Sequence, residues 1–149
     1  MRQALKQAVR ALKSGDVPVG CLVVYNNEII GRGYNQIERR NDSLAHAEML
    51  AIKQAVSKYG HKHLLDCDLY VTLEPCSMCA GAIVLARIKN VVFGASDPKS
   101  GACGSVLNIV RHNSLNHRCN VISGVLESEC STLIKNFFME LRKQSKQYE

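Results

Sequence analysis

The sequence predicts a three-layer α/β fold, a central mixed five-stranded sheet flanked by helices on both faces. Segments with helical apolar spacing alternate with short β-branched runs through the middle of the chain, which implies crossover connections and a partly parallel sheet. The first two strands read instead as a hairpin, so one side of the sheet is antiparallel. With 149 residues, 46% of them hydrophobic, a single domain over residues 1–149 is expected to bury its own core.

Leu5, Ala8, Val9, Ala11 and Leu12 recur at helical spacing, so an amphipathic helix is expected over Arg2–Lys13, stopped by Ser14-Gly15-Asp16 and Pro18. Cys21–Tyr25, the Asn26-Asn27 turn and Glu28–Tyr34 form the hairpin, whose first arm is too apolar for an exposed face and belongs inside the sheet. A polar stretch from Asn35 to Ser43 leads to a helix over Ala45–Lys58, with Met49, Leu50, Ile52 and Val56 available to the core and Gly60 at its end. Leu69–Leu73 is a strand. A helix then runs from Cys76 to Ala86, and its Ala80–Ile88 portion is apolar nearly all round, which requires burial on more than one side. Asn90–Gly94 is another buried strand and Asp97–Gly101 a loop. A short helix is expected near Leu107–Val110 and a fifth strand over Val121–Val125. Leu133, Ile134, Phe137, Phe138 and Leu141 mark a long terminal helix whose end carries Arg142, Lys143 and Lys146.

The formal charge of +6 favours a polyanionic partner, although a mild excess of Lys and Arg reads equally as a solvated surface. Seven cysteines, an odd number with no signal-peptide pattern before them, argue against a disulfide framework and for a reducing, cytoplasmic location. Cys21, Cys67, Cys103, Cys119 and Cys130 lack ligand-like spacing and read as small buried hydrophobes. No run approaches the ~18 apolar residues of a membrane span.

Two short motifs carry the chemistry. Cys76 and Cys79 lie at a helix start, where unpaired backbone N–H groups favour thiolate, and His46 opens the preceding helix. Two thiolates and an imidazole are three ligands that zinc accepts, with a fourth position left for water. Glu48 is two residues from His46, about 200° away on a helix, so it does not share the ion in the same way. At a helix end both can border one pocket, where a carboxylate removes a proton from the attacking water and returns it to the departing group. A redox dithiol or half of a four-cysteine structural site are the competing readings of Cys-x-x-Cys; a second such pair is lacking, and neither calls for His-x-Glu elsewhere.

His46-Ala47-Glu48 with Pro75-Cys76-Ser77-Met78-Cys79 resembles the signature of the zinc-dependent nucleobase deaminases. Within that superfamily the chain is similar to the bacterial tRNA-specific adenosine deaminases over most of its length. Val17–Gly20, Gly33-Tyr34-Asn35, Leu73–Cys76, Met78–Ala82, Val91–Ala95, Gly101–Ser105 and Asn116-His117-Arg118 all carry the likeness. Ser43-Leu44 and Cys21 depart from the usual residues without touching a ligand. Pro18–Glu28 looks like the catalytic subunit of the eukaryotic heterodimeric enzyme, whereas the carboxyl half looks bacterial.

The resemblance implies a cytidine-deaminase-like fold, one zinc per subunit on His46, Cys76 and Cys79, and hydrolysis of the wobble adenosine of a tRNA anticodon loop to inosine. Glu48 would be the proton shuttle and zinc-activated hydroxide the nucleophile. It further implies that Asn35 hydrogen-bonds the purine, that Val17 packs against it, and that Asp97, Lys99 and Ser100 flank the flipped nucleotide. Phe137, Phe138 and Arg142 would meet the anticodon loop, and the enzyme would be a homodimer. Read without the resemblance, Asn35 closes a turn and Phe137 belongs to the core. A free-base or nucleotide deaminase acting on guanine or cytosine would use the same zinc and glutamate without needing a basic surface.

Overall fold

Asn26 and Asn27 both adopt the left-handed conformation, φ 47° and 62°, that a tight hairpin turn demands and that asparagine tolerates. They join β1 (Gly20–Tyr25) to β2 (Glu28–Tyr34) as an antiparallel pair with a bulge at Val23/Val24. β1 also pairs antiparallel with β3 (Asp68–Leu73), which runs parallel to β4 (Asn90–Ala95), itself parallel to β5 (Asn120–Ile122). The order β2-β1-β3-β4-β5 makes the sheet mixed and five-stranded, with the apolar hairpin arm in its interior as expected. The computed structural model describes residues 1–147.

Register assigns the helices to faces. Gly20, Thr72 and Gly94 align across β1, β3 and β4, and an added Cβ at Gly20 or Gly94 would strike α1 (Arg2–Lys13) or Cys130 of α5 (Glu127–Lys146) respectively. Gly31 and Gly33 point the opposite way, into the backbone of α3 (Ala47–Tyr59), which in turn contacts α4 (Ser77–Leu85). Helices therefore cover both faces, and the core lies between them around Val23, Leu69, Val71, Val91 and Ile83.

This seating corrects two expectations about which residues are inside. α1 buries Ala4, Gln7, Ala8 and Ala11, while Val9 and Leu12 face solvent. α3 buries Ala47, Glu48, Ala51, Ile52 and Ala55, and Met49, Leu50 and Val56 are only half-buried. In both cases the sheet offers glycine, so the helix approaches until its backbone touches the strand, and alanine is the largest residue most of that interface admits.

Three further boundaries differ. The polar segment after Asn35 contains a one-turn helix, α2 (Ile37–Arg40), whose first N–H groups are taken by the buried Asp16 carboxylate. The helix expected near Leu107–Val110 does not form. Its backbone bonds elsewhere, Leu107 N–H to Gly101, Ile109 N–H to Ala102, with a bridge from Cys103 to Asn108. β5 ends at Ile122, not Val125, because Gly124 turns left-handed and Val125 donates to Phe93.

Candidate active site

Both ligand-bearing segments end in helix caps. His46 is the extended residue that caps α3 (φ −73°, ψ 150°), so the expected start at Ala45 moves to Ala47 and the imidazole leaves the helix axis. Cys76 likewise caps α4, after the C-terminal end of β3, and Cys79 sits in that helix's first turn. His46 Nδ1 lies 3.7 Å from Cys76 Sγ and 3.6 Å from Cys79 Sγ. A tetrahedral ion with Zn–N bonds of about 2.0–2.1 Å and Zn–S bonds of about 2.3 Å separates nitrogen from sulfur by about 3.6 Å. The donor set and its spacing therefore fit zinc. Among the described residues these three form the one cluster of His, Cys, Asp or Glu with metal-ligating geometry.

Electrostatics agree with that donor role. A hydrogen bond from the Cys79 thiol, with a second from His46, holds Cys76 down at about 4, well into the thiolate range. The same bond pushes Cys79 upward, so the two sulfurs share a proton that a metal would displace. His46 is raised, first by its bond to Cys76.

Glu48, 4% exposed, occupies the first turn of α3. Burial pushes its carboxyl up to about 7, opposed in part by His46. The expected opposition of His46 and Glu48 around a helix is relieved because His46 stands outside it. Asn35, just after β2, accepts the Ala47 N–H at 3.0 Å through Oδ1. That bond fixes the amide orientation, so Nδ2 is the free donor. No fully buried side-chain polar atom among the described residues lacks a partner, and Nδ2 accordingly opens to accessible space. Asn35 thus closes a local structure and still offers a donor.

Beyond the C-terminal ends of β3 and β4, where α/β sheets commonly bind ligands, lies a groove of about 600 Å³. Val17 and Leu73 give it an apolar side, Asp97, Lys99 and Ser100 one wall, and Phe138 and Arg142 of α5 the other. Val17, expected against the base, Asp97, Lys99 and Ser100, expected beside the flipped nucleotide, and Phe138 and Arg142, expected at the anticodon loop, therefore meet here. Phe137 does not; it is half-buried and stacks edge-on against Phe138 at 5.3 Å. The five remaining cysteines are free and buried.

The sequence profile of the MafB19-like deaminases matches residues 1–142. The tRNA-specific adenosine deaminase of Bacillus subtilis (strain 168) is 49% identical over 146 residues, 98% of this chain and 91% of that protein. This chain belongs to the tRNA-specific adenosine deaminase family. The counterpart in Aquifex aeolicus (strain VF5) is 48% identical over 142 residues, 95% of this chain and 93% of its own. A solved structure from studies of A-to-I editing by tRNA:A34 deaminases superposes with a TM-score of 0.85 at 41% identity, covering 89% of this chain and 96% of that one. The deaminase superfamily is zinc-dependent, in keeping with the His-Cys-Cys cluster.

Residue spacing alone missed a set of supports for this site. Glu74, Gly101 and Ser105 converge from 27 to 31 positions apart, and only the position of Glu74 beside Pro75-Cys76 hinted at a role.

Proposed function

We propose that this chain hydrolyses the 6-amino group of the wobble adenosine in a tRNA anticodon loop, giving inosine and ammonia. The observation that carries the reading is His46 Nδ1 facing both thiols at zinc-ligand distance, with the buried Glu48 two residues on, in the first turn of the helix that His46 caps. Zinc held there supplies Lewis acidity that makes water nucleophilic near neutral pH. Glu48 takes a proton from the attacking water and delivers it to the ring nitrogen next to the reacting carbon; it then takes the proton left on the added hydroxyl and passes it to the amine, which departs as ammonia as the C–N bond breaks and the ring carbonyl forms. Asn35 Nδ2 donates to a ring acceptor of the purine, held by Ala47 so that it does not rotate away. Val17 covers a face of the base.

The polynucleotide lies along the groove. Lys99 and Arg142 meet phosphates, Asp97 and Ser100 border the flipped nucleotide, Phe138 offers a stacking surface, and the +6 charge assists capture. Phe137 supports this surface by packing behind Phe138. A second copy of the chain is proposed to cover α4, where Leu85 is 79% exposed. Residues 1–149 act as one domain in this reading, and a tRNA substrate implies a cytoplasmic site of action. No helix among the described residues is long and apolar enough to cross a membrane.

Zinc-loaded protein incubated with a tRNA bearing a wobble adenosine should convert that base to inosine. An unchanged tRNA, together with release of ammonia from free guanine or cytosine, would replace this reading with a free-base deaminase.

A further inference from the structure

One wall of the groove is built around a carboxylate that the proposed chemistry does not use. Glu74 follows the last residue of β3, precedes Cys76 by two positions, and is 2% exposed. Its Oε2 accepts the N–H groups of Cys103 (3.1 Å) and Ser105 (3.2 Å). Its Oε1 accepts the N–H of Asp97 (3.2 Å) and the hydroxyl of Ser105. All four donors belong to one loop, and no cation contributes, since Lys143 with Glu140 is the only ion pair among the described residues. Oriented N–H dipoles thus enclose the carboxylate, as in an anion nest. Gly101 records how tightly the loop wraps: a Cβ there would lie 2.3 Å from Oε2 and 2.4 Å from Cδ of Glu74.

The contacts continue in both directions from this centre. Outward, Asp97 Oδ1 accepts the N–H groups of Lys99 (3.0 Å) and Ser100 (3.2 Å), and Oδ2 the Ser100 hydroxyl (2.7 Å). Inward, Ala102 donates to the Pro75 carbonyl at 2.8 Å, next to the ligand Cys76. We propose that Glu74 is a positioning residue for the polynucleotide: it holds the Asp97–Ser105 loop at the distance from the thiol ligands at which Lys99 and Ser100 meet the strand flanking the reacting base. This rests on the tRNA-deaminase reading and adds to it a residue that touches neither metal nor base.

Glu74→Gln keeps the shape and removes the acceptor pattern. An amide has one acceptor oxygen, so its N–H₂ must face at least one inward-pointing donor, and two donors in contact separate. With a wobble-adenosine stem-loop as substrate, E74Q is expected to raise KM about tenfold while kcat stays within about threefold and zinc content is unchanged. Amide hydrogen exchange at Asp97, Cys103 and Ser105 should accelerate about tenfold or more, with β1 amides unaltered. A carboxylate that merely stabilised the fold would lower the denaturation midpoint and leave KM alone; an unchanged KM, or unchanged exchange at those three amides, overturns the proposal. If the wild-type protein itself leaves the stem-loop intact, the function reading fails, and the exchange measurement still judges the loop. Should E74Q not fold, S105A removes a single side-chain donor and is expected to raise KM about threefold, with no rise overturning the proposal.

Discussion

A methyl group on Gly33 would lie 2.1 Å from the carbonyl oxygen of Ala47 and 2.8 Å from the amide nitrogen of Ala51, where ordinary contact begins near 3.4 Å. Both atoms are helix backbone and neither can swing aside, so Gly33→Ala must part β2 from the start of α3 by about 1.3 Å, the difference between 3.4 and 2.1 Å. Ala47 stands between His46 and Glu48, and the displacement passes directly to a metal ligand and to the proposed shuttle. Overpacking of this kind costs about 3 kcal/mol or more, and a misplacement of about 1 Å at a reacting centre costs about 100-fold in rate. Urea denaturation would read the first effect, and single-turnover deamination of tRNA well below the unfolding midpoint the second. Gly81→Ala is the matched control: nothing lies within 4 Å of its Cβ position inside α4, and the substitution should stabilise by about 0.5–1 kcal/mol. A Gly33→Ala protein with wild-type stability, zinc stoichiometry and turnover would refute the argument that glycine sets the position of α3.

Glu48→Gln should retain zinc and tRNA binding while turnover falls by about 10²–10⁴, whereas Cys79→Ala should lose the metal as well; full activity in the Glu48 variant would sink the proton-shuttle role. Lys99→Ala and Arg142→Ala should each weaken tRNA binding and reduce the slope of log affinity against log salt by about 1, and unchanged slopes in both would remove the groove from the binding path. Burial raises the thiols of Cys67, Cys119 and Cys130 to about 11 and that of Cys103 to about 12, from 9.0 when exposed. Above pH 9 the unfolded chain releases thiol protons that the folded chain retains. Stability from this source is intact below pH 9 and declines as pH rises through 11, by about 1.4 kcal/mol per pH unit for each thiol. Denaturant midpoints measured at pH 7.5, 9 and 10.5 should show the decline, shallower in Cys119→Ala, and a flat profile would contradict it.

The His46-Cys76-Cys79 cluster was legible in the chain because its determinants are local. Cys-x-x-Cys at a helix start and His-x-Glu at another each specify their geometry within four residues. The two segments meet because α4, the helix after β3, lies beside α3. The same locality explains the hairpin, whose paired asparagines announce the turn. Less legible were the helix faces. Apolar spacing marked Leu5, Ala8, Val9, Ala11 and Leu12 of α1, and of these the alanines are buried while Val9 and Leu12 are exposed, because the Gly20 Cβ position lies 2.0 Å from the Ala4 carbonyl and draws the alanine side onto the sheet. The helix expected at 107–110 failed for a related reason, since its N–H groups found better partners in Gly101 and Ala102 than in their own turn.

By itself the sequence determined the His-Cys-Cys cluster, the family and the order of most elements, because ligand chemistry, turn residues and apolar periodicity act over a few positions. Tertiary structure alone decided the direction of the Asn35 amide, through an N–H twelve residues away. It also decided the enclosure of Glu74 by a loop 23 to 31 residues distant, and the meeting of Val17, Lys99 and Arg142 in one groove. Those are contacts between segments that no local periodicity relates, and their geometry exists only once glycine-seated helices have closed on the sheet.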